Sequence, residues 1–367
     1  MDRDLTQPDV LADLAGPWAA RIGGTALFAR DYDNHNEQML RLYARGKQHQ
    51  WDADARIDWS LDVDPDNPLG MSDAFVWIAG TPLWERLPER ERIEIRRHTA
   101  GWTYSQLLHG EQLSLIGVAK MAQTLPRLDD KLFAATQVMD EARHTEAFNR
   151  YLATKIGVRY GMSSPLETLF AGILAESRWD FTALAVQVLV ENLGLAAFGI
   201  QRDRTTEPLA RTLNAYIMQD EARHVAFGRL LLRPFYRELS TVELEEREEF
   251  VVEACWALRD RFVGEEMWQA LDYGAEECIR LARGSPAQRE FRRRLFMRVV
   301  PALEDIGLFG PTVRDGLAKM GVLGFHGIDD DATRATDDRI ADELDRREAA
   351  VRRQEIEATA EAGRSQQ

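Results

Sequence analysis

One five-residue motif occurs twice in the sequence and carries residue types that bind metal ions. The motif is Asp-Glu-Ala-Arg-His, at residues 140–144 and again 80 residues later at 220–224, and a further Glu lies 30 residues before the Glu of each copy. Residues three apart share one face of an α-helix, so each copy directs a carboxylate and an imidazole to a common place. Four carboxylates and two imidazoles from four helices form the ligand set of a carboxylate-bridged two-metal site. The predicted ligands, which would also be the catalytic residues, are Glu111, Glu141, His144, Glu191, Glu221 and His224.

The doubled spacing also predicts the role of each ligand. Glu111 and Glu191 would each bind one metal, Glu141 and Glu221 would bridge both, and each motif histidine would bind one metal. Such ligands, without a thiolate, suit a hard, redox-active metal. Taken singly, Glu111 or Glu191 is explained equally well by a buried ion pair, so the prediction depends on the repetition.

Each motif contains an Asp and an Arg that would support the ligands. A metal-bound histidine normally donates its other ring N–H to a carboxylate. On adjacent helices we expect a crossed arrangement, in which Asp140 contacts the histidine of the second motif and Asp220 that of the first. Arg143 and Arg223 would pair with these aspartates; the alternative is that both arginines face solvent.

The elements that must position these residues are helices, because no stretch from 88 to 235 alternates like a β-strand. Pro88 precedes a helical pattern that runs to about residue 122. Asp129 or Asp130 is expected to cap the next helix, which would reach residue 157. A capping box at residues 164–167 predicts the start of the helix holding Glu191. Pro208 predicts the start of the fourth helix, which would end or kink at Pro234.

The flanks give a four-part division. We expect an N-terminal helical and loop extension over residues 1–87, the metal-binding bundle over 88–235, and packed C-terminal helices over 236–326. Residues 327–367 are charged and weakly apolar, and predict a solvated helical tail that frays at its end.

The composition excludes several classes of partner and site. The formal net charge of −15 disfavours nucleic acid and anionic membrane surfaces as partners. Only two cysteines occur, Cys255 and Cys278, so a disulfide framework or a cysteine-based metal site is not expected. The first residues show no signal pattern, and together these features predict a cytoplasmic protein. Residues 182–200 are apolar enough to resemble a membrane span, but Glu191 near their centre favours the central helix of a soluble bundle.

The doubled Asp-Glu-x-Arg-His resembles that of the ferritin-like di-iron carboxylate oxygenases. These include the bacterial multicomponent monooxygenases, the acyl-carrier-protein desaturases, the ribonucleotide reductase small subunits and the aminobenzoate N-oxygenases. The resemblance covers roughly residues 88–235 and implies an all-α fold, with a ferritin-like four-helix bundle core and additional flanking helices. It also implies two iron ions, or a manganese–iron pair, that activate O₂ as co-substrate.

Three departures leave the branch unassigned. The reductase subunits have a radical tyrosine one turn after the first His, where this sequence has Phe148, with Tyr151 a further turn away. A ligand-binding oxidase relative has a Tyr where Val186 stands. The aminobenzoate N-oxygenases add a third His one turn before the last Glu, and here that position is Ile217.

The predicted function is O₂-dependent oxidation of a small organic molecule by hydroxylation, N-oxygenation or desaturation. Neighbours on the ligand face are mostly apolar and would line a cavity for an apolar or aromatic substrate, although core packing also explains them. These neighbours are Leu107, Leu115, Phe148, Gln187, Leu195, Phe198 and Ile217.

The sequence also predicts an external electron donor and leaves the oligomeric state and several alternative functions open. Electrons would come from a reductase or ferredoxin, because the sequence shows no flavin, nicotinamide or Fe–S motif, and a homodimer is one open arrangement. The alternatives are a ferroxidase or iron-handling protein, a dimanganese catalase, and a scaffold that retains a relic site.

Overall fold

The computed structural model describes residues 17–33, 36–329, 332–347 and 350, and their regular secondary structure is entirely helical. This confirms the all-α fold class. The α-helices are α1 Glu37–Gln48, α2 Ala53–Arg56, α3 Pro82–Arg86, α4 Glu89–Thr124, α5 Leu128–Tyr151, α6 Ser164–Ala175, α7 Trp179–Ala183, α8 Glu191–Arg204, α9 Pro208–Tyr236, α10 Thr241–Asp260, α11 Glu265–Ala270, α12 Ala275–Gly284, α13 Pro286–Arg294, α14 Val299–Asp305 and α15 Pro311–Lys319. A further helix covers residues 332–347.

Four long helical stretches form the core bundle: α4, α5, the α7–α8 stretch and α9. α4 begins directly after Pro88, as its sequence predicts. α5 begins one residue after Arg127, so the expectation that Asp129 or Asp130 caps it is wrong. Instead, the Asp129 carboxylate accepts the backbone N–H of Asn36, and Asp130 pairs with Arg127. Both aspartates therefore connect neighbouring segments.

The prediction for the start of the third core helix is also wrong. Residues 164–175 form a separate helix, α6, and its N-cap Ser163 makes no side-chain capping bond. The chain then leaves the helix and restarts it at Trp179. The cause lies on α4, where the buried Lys120 ammonium donates to the carbonyls of Ile173, Leu174 and Glu176. These are carbonyls that an uninterrupted helix would have used itself.

Between α7 and α8 the chain continues as a π-helix over Leu184–Val190, directly before the ligand candidate Glu191. A π-helical turn is rare and is found frequently at functional sites. The two flanking helices approach this segment through glycines. A Cβ at Gly117 of α4 would lie 2.9 Å from Val186, and one at Gly228 of α9 would lie 2.6 Å from Gln187. Neither approach leaves room for a side chain.

The stretch Trp179–Arg204 is, by length and composition alone, the one helix of the described residues that could cross a membrane. However, 83% of its apolar 18-residue window is buried inside the protein. Its contacts with α4, α9 and α10 identify it as a core helix of the bundle.

The C-terminal helices pack beside the bundle. α10 begins with a complete capping box formed by Ser240 and Glu243. The helix over residues 332–347 was expected to be solvated, but Ala341 is fully buried and the Asp337 carboxylate pairs with Arg202 and Arg298. Residues 351–367, where fraying was expected, lie outside the described part of the chain, and the four-part division remains a prediction.

Candidate metal centre

The four core helices bring the six predicted ligands together in the interior of the bundle. α4 contributes Glu111, α5 contributes Glu141 and His144, the start of α8 contributes Glu191, and α9 supplies the remaining pair. All six residues are at most 6% exposed. They form two groups, in each of which one ligand atom per residue lies within 4.8 Å of the others. The groups are Glu111, Glu141, His144 and Glu221, and Glu141, Glu191, Glu221 and His224.

Glu141 and Glu221 belong to both groups, and each presents one oxygen to each histidine. Glu221 Oε1 lies 3.1 Å from His144 Nδ1, and its Oε2 lies 3.1 Å from His224 Nδ1. Glu141 Oε2 lies 3.5 Å from His144 Nδ1, and its Oε1 lies 3.1 Å from His224 Nδ1. The outer carboxylates each approach one histidine, Glu111 at 3.1 Å and Glu191 at 3.6 Å. Two metal positions that share two carboxylates would require this arrangement.

In both histidines, Nδ1 faces the carboxylates and Nε2 faces an aspartate of the opposite motif. His144 Nε2 lies 3.1 Å from Asp220 Oδ2, and His224 Nε2 lies 3.2 Å from Asp140 Oδ2. An Nε2–H that donates to aspartate leaves the Nδ1 lone pair free for a metal. The structure thus has the crossed arrangement, and metal binding by these atoms remains a proposal.

The two motif arginines are buried against both aspartates. Arg143 donates to Asp140 and, at 2.8 Å, to Asp220, while Arg223 donates to Asp220 and, at 3.2 Å, to Asp140. Burial alone would raise the pKa of Asp220, but the bond from His144 and the neighbouring guanidinium charges hold it far below its usual range. The bond from His224 and the charge of Arg223 likewise lower the pKa of Asp140, so both aspartates are anions that accept from the imidazoles.

Sequence reasoning missed several residues that complete the polar network. Gln137, one turn before Glu141, donates from Nε2 to Glu141 Oε1 at 3.0 Å and to Glu191 Oε1 at 3.2 Å. Gln187 in turn donates to Gln137 at 3.0 Å. Gln137 lies on the same helix face as the ligands, so the i, i+4 spacing that marks that face would have found it.

Two further contacts come from the segment after α1. The Trp51 indole N–H donates to Asp220 Oδ2 at 2.7 Å, and Gln50 Nε2 donates to Asp140 Oδ1 at 2.7 Å. Nothing in the local sequence marks these residues, because their partners are 169 and 90 residues away. These two hydrogen bonds fix Asp140 and Asp220, the aspartates that contact the histidine Nε2 atoms.

The electrostatics of the cluster fit a pair of bound cations. Burial raises the pKa of Glu111 to about 8, and burial together with the charges of Glu141 and Glu221 raises that of Glu191 well above its usual value. Burial works against charging the two histidines, yet the surrounding carboxylates raise the pKa of both well above the usual value. The cluster without metal would therefore bind protons at these side chains, and bound metal cations would replace those protons. Glu141 Oε2 is moreover a buried acceptor without a hydrogen-bond partner among the described residues.

A small cavity of about 30 Å³ reaches the cluster from one side. Glu111, Glu191 and Glu221 line it, with apolar residues, the polar Gln106 and Ser114, and one cation, Arg261. Of the seven predicted pocket residues, Leu107 and Phe198 line this cavity, while Leu115, Phe148, Gln187, Leu195 and Ile217 are not among its lining residues. A wider cavity of about 250 Å³ lies elsewhere, between α4, α8 and α13, and none of the six candidate ligands lines it.

Phe148 lies in an aromatic cluster next to the site. Its ring centroid is 5.6 Å from that of Phe198 and 5.7 Å from that of Tyr104. The Tyr104 hydroxyl accepts from Asn214 at 2.7 Å, and the Tyr151 hydroxyl donates to the Pro68 carbonyl at 3.2 Å. Neither of these hydroxyl contacts involves a candidate ligand. The two aromatic residues that line the cavity, Phe170 and Phe198, have no hydroxyl.

Comparison with known proteins identifies the family. The family model described as p-aminobenzoate N-oxygenase AurF matches residues 33–307, well over half of the chain. Among solved structures, the dimanganese(II) NrdF of Streptococcus sanguinis aligns with a TM-score of 0.51 at 12% identity, covering 79% of this chain and 99% of that chain. A mutant R2-like ligand-binding oxidase with an anaerobically reconstituted Mn/Fe cofactor aligns with a TM-score of 0.47 at 19% identity, covering 74% of this chain and 93% of that one.

No curated protein matches the sequence. The NrdF likeness confirms the ferritin-like fold, and the family match decides the branch that the sequence motifs had left open. The chain belongs to the p-aminobenzoate N-oxygenase AurF family.

Proposed function

We propose that the protein binds two iron ions through its six buried ligands and uses O₂ to oxygenate the nitrogen of a small organic amine. The family match makes it an oxygenase of a small organic molecule. The choice of an amine nitrogen follows from the name of the family. The observation that carries the metal assignment is that Glu141 and Glu221 each present one oxygen to each of two histidine-containing groups.

The residues around the ligands have distinct tasks. Two bound metals would supply the redox chemistry that activates O₂, and manganese can replace iron at such ligands. Asp140 and Asp220 hold each imidazole in the tautomer that exposes Nδ1. Gln137 fixes one oxygen of Glu141 relative to Glu191. The apolar residues that line the cavity, such as Leu107, Leu193 and Phe198, would limit the access of water to the reacting atoms.

The stoichiometry requires an external reductant. Insertion of one oxygen atom into an N–H bond, with reduction of the other atom to water, consumes two electrons and two protons. We propose a separate reductase or ferredoxin as the electron donor, because the sequence contains no flavin, nicotinamide or Fe–S motif.

One ligand expected from the family resemblance is absent. Ile217 lies one turn before Glu221, where the resemblance implies a third histidine, and its side chain is fully buried and offers no ligand atom. The proposed ligand set therefore has six members, which leaves one metal with fewer protein ligands than that resemblance implies.

Metal analysis with matched variants tests the ligand set. Wild-type protein loaded with Fe(II) without oxygen should hold two metals per chain, and Glu141→Ala or Glu221→Ala should lose metal from both positions. Glu248→Gln is the control, since Glu248 is also buried but accepts the backbone N–H groups of Gly310, Thr312 and Val313. It should keep both metals. A wild-type content of one metal or less contradicts the proposal.

The reaction is tested separately with ¹⁸O₂. Fe-loaded protein, a chemical reductant and a panel of aryl amines should give products that carry ¹⁸O on nitrogen, detected by mass spectrometry. Oxidation of Fe(II) with no labelled organic product would instead indicate a ferroxidase.

We also propose that the protein is a cytoplasmic homodimer. Two core helices leave apolar side chains at the surface: Ile116 on α4 is 39% exposed, and Met139 on α5 is 60% exposed. Light scattering after size exclusion should give the mass of two chains, and Met139→Glu should shift it to one.

A further inference from the structure

The C-terminal helices enclose a cavity whose wall consists mainly of arginines. It has a volume of about 610 Å³ and lies between the ends of α10 and α12, α13 and the turn after α15. Five arginines and one aspartate, Asp260, give its lining a net charge of +4, although the chain as a whole has a formal net charge of −15. The arginines of this arginine cavity are Arg259, Arg283, Arg289, Arg292 and Arg293.

One of these arginines is buried without an acidic partner. Arg292 is 9% exposed, and it donates from Nε to the Gln288 carbonyl at 3.3 Å and from Nη2 to the Arg283 carbonyl at 3.1 Å. No carboxylate in the described part of the chain forms an ion pair with it. Arg143 and Arg247, which are also buried, each contact an aspartate. The charge of Arg292 is therefore held by neutral carbonyls alone.

The positive charges around Arg292 oppose one another. Burial lowers the pKa of Arg292, and the charges of Arg259, Arg283 and Arg289 lower it further, against the opposing charge of Asp260. A positive charge is therefore less favourable at this position than in water. An anion bound in the cavity would remove this repulsion.

Protein carboxylates compensate only two of the five charges. Arg259 pairs with Asp260 at 2.7 Å, and Arg293 pairs with Glu290 at 2.7 Å. The other three arginines form no ion pair among the described residues: Arg283, Arg289 and Arg292.

Helix dipoles explain part of this arrangement. Arg259, Arg283 and Arg292 lie in the last turns of α10, α12 and α13, where a cation stabilises the helix C-terminus. That effect accounts for each of these arginines on its own helix. It does not account for Arg289, the fourth residue of α13, or for the convergence of arginines from three helices on one cavity.

The volume and the lining favour a compact polyanion. Sites for small molecules usually have volumes of about 300–1,000 Å³. One guanidinium matches one carboxylate, so three uncompensated guanidinium groups match a more highly charged ligand, such as a diphosphate. A protein interface would instead have an apolar centre, and Met320 is the only large apolar side chain that lines the cavity.

We propose that the arginine cavity binds a small molecule with two or more linked phosphate groups, such as pyrophosphate or a nucleoside diphosphate. This inference does not depend on the proposed function. The site is nevertheless close to the candidate metal centre, because residues 258–261 lie between the two cavities. Leu258 and Arg261 line the cavity at the metal ligands, while Arg259 and Asp260 line the arginine cavity. A ligand that holds Arg259 would therefore also restrain the wall of the other cavity.

Equilibrium dialysis with radiolabelled pyrophosphate and orthophosphate tests the site on metal-loaded protein. We expect wild-type protein to bind pyrophosphate at least about 10-fold more tightly than orthophosphate, because the second phosphate contacts further guanidinium groups. Arg283→Gln and Arg292→Gln should each lower the affinity for pyrophosphate by about 10- to 100-fold. Arg283 is exposed, and its side chain forms no hydrogen bond or ion pair with a described residue. Arg283→Gln is therefore expected to fold even if Arg292→Gln does not.

Arg280→Gln is the matched control. Arg280 lies on the same helix as Arg283, its side chain is 71% exposed and pairs with Glu277 at 3.6 Å, and it does not line the cavity. Its substitution removes the same charge and should leave pyrophosphate affinity unchanged. Metal content is measured on every sample, because pyrophosphate also chelates iron. Binding through the metal would be equal in all of these variants.

Three results would overturn the inference. They are wild-type protein that does not prefer pyrophosphate to orthophosphate, Arg283→Gln and Arg292→Gln proteins that bind pyrophosphate like wild type, and an Arg280→Gln protein that loses as much affinity as Arg283→Gln. The last result would indicate general attraction by surface charge. A parallel titration with ADP distinguishes the sources of the phosphate groups. Equal affinities for ADP and pyrophosphate would support a site for the phosphates alone, and tighter binding of ADP would support a nucleotide site.

Discussion

Asp220→Asn is the substitution that most directly tests how the protein orients its ligands. Asp220 Oδ2 accepts from His144 Nε2 at 3.1 Å, Arg143 Nη2 at 2.8 Å and Trp51 Nε1 at 2.7 Å, and its Oδ1 accepts from Arg223. Asparagine has only one acceptor oxygen, and its NH₂ group would face one of these N–H donors. The change therefore keeps the shape and removes both the negative charge and part of the acceptor capacity.

Two effects of different size should follow. Loss of the carboxylate that orients a ligating histidine typically lowers metal affinity by about 10- to 100-fold, or roughly 1.4–2.8 kcal/mol. Removing one partner of a buried ion pair typically lowers the free energy of unfolding by about 3–5 kcal/mol, because two buried guanidinium groups lose an anion. We expect both losses in Asp220→Asn, and similar ones in Asp140→Asn.

The assay must separate a misoriented histidine from a general loss of protein stability. Metal affinity is measured anaerobically by competition between Fe(II)-loaded protein and a chelator, and stability by urea unfolding of the metal-free protein. Asp180→Asn is the control, because Asp180 is 3% exposed and pairs with Arg247 at 2.9 Å, eleven residues before Glu191. It should lose stability and keep its metal affinity. Wild-type affinity in both Asp220→Asn and Asp140→Asn would refute the orienting role.

Two predictions concern regions away from the ligands. Lys120→Met removes the donor to three carbonyls and to the Thr182 hydroxyl, and should lower the free energy of unfolding in urea by about 2–4 kcal/mol; a loss under 1 kcal/mol would contradict this role. Burial lowers the pKa of His98 to about 4, so the unfolded chain binds more protons between pH 6.5 and 4, and stability falls as the pH falls through that range. The free energy of unfolding should fall between pH 6.5 and 5 by about 1.5 kcal/mol less in His98→Gln than in wild type. An unchanged pH dependence in urea unfolding would show that this histidine is not responsible.

The part of the site that the sequence predicts is the part that depends on helical spacing. Glu141 and His144 share a helix face because they are three residues apart, and the second motif repeats that geometry at the same offset. The same periodicity would have included Gln137. The helices themselves follow from their patterning, so the all-α class needed no tertiary information.

The errors occur where a distant residue decides local structure. The capping-box sequence at residues 164–167 predicts a helix start, and a helix does start there, but Lys120 from α4 binds the carbonyls at its end. Trp51 contacts Asp220, and Arg261 lines the cavity. Neither has a local signal in the sequence, since each comes from a segment outside the four core helices. The shape of the cavity also depends on residues distant in the sequence. Only Leu107 and Phe198 among the predicted lining residues therefore reach it.

The π-helical segment before Glu191 has a consequence for how this chain tolerates change. In this segment the hydrogen bonds span five residues, as in the bond from the Glu191 N–H to the Val186 carbonyl. Deletion of one residue here would restore α-helical bonding, but would rotate Glu191 by about 100° relative to α7. The segment thus acts as a register spacer. Substitutions within residues 184–190 alter packing, whereas gain or loss of a single residue there would turn Glu191, a proposed metal ligand, away from its partners.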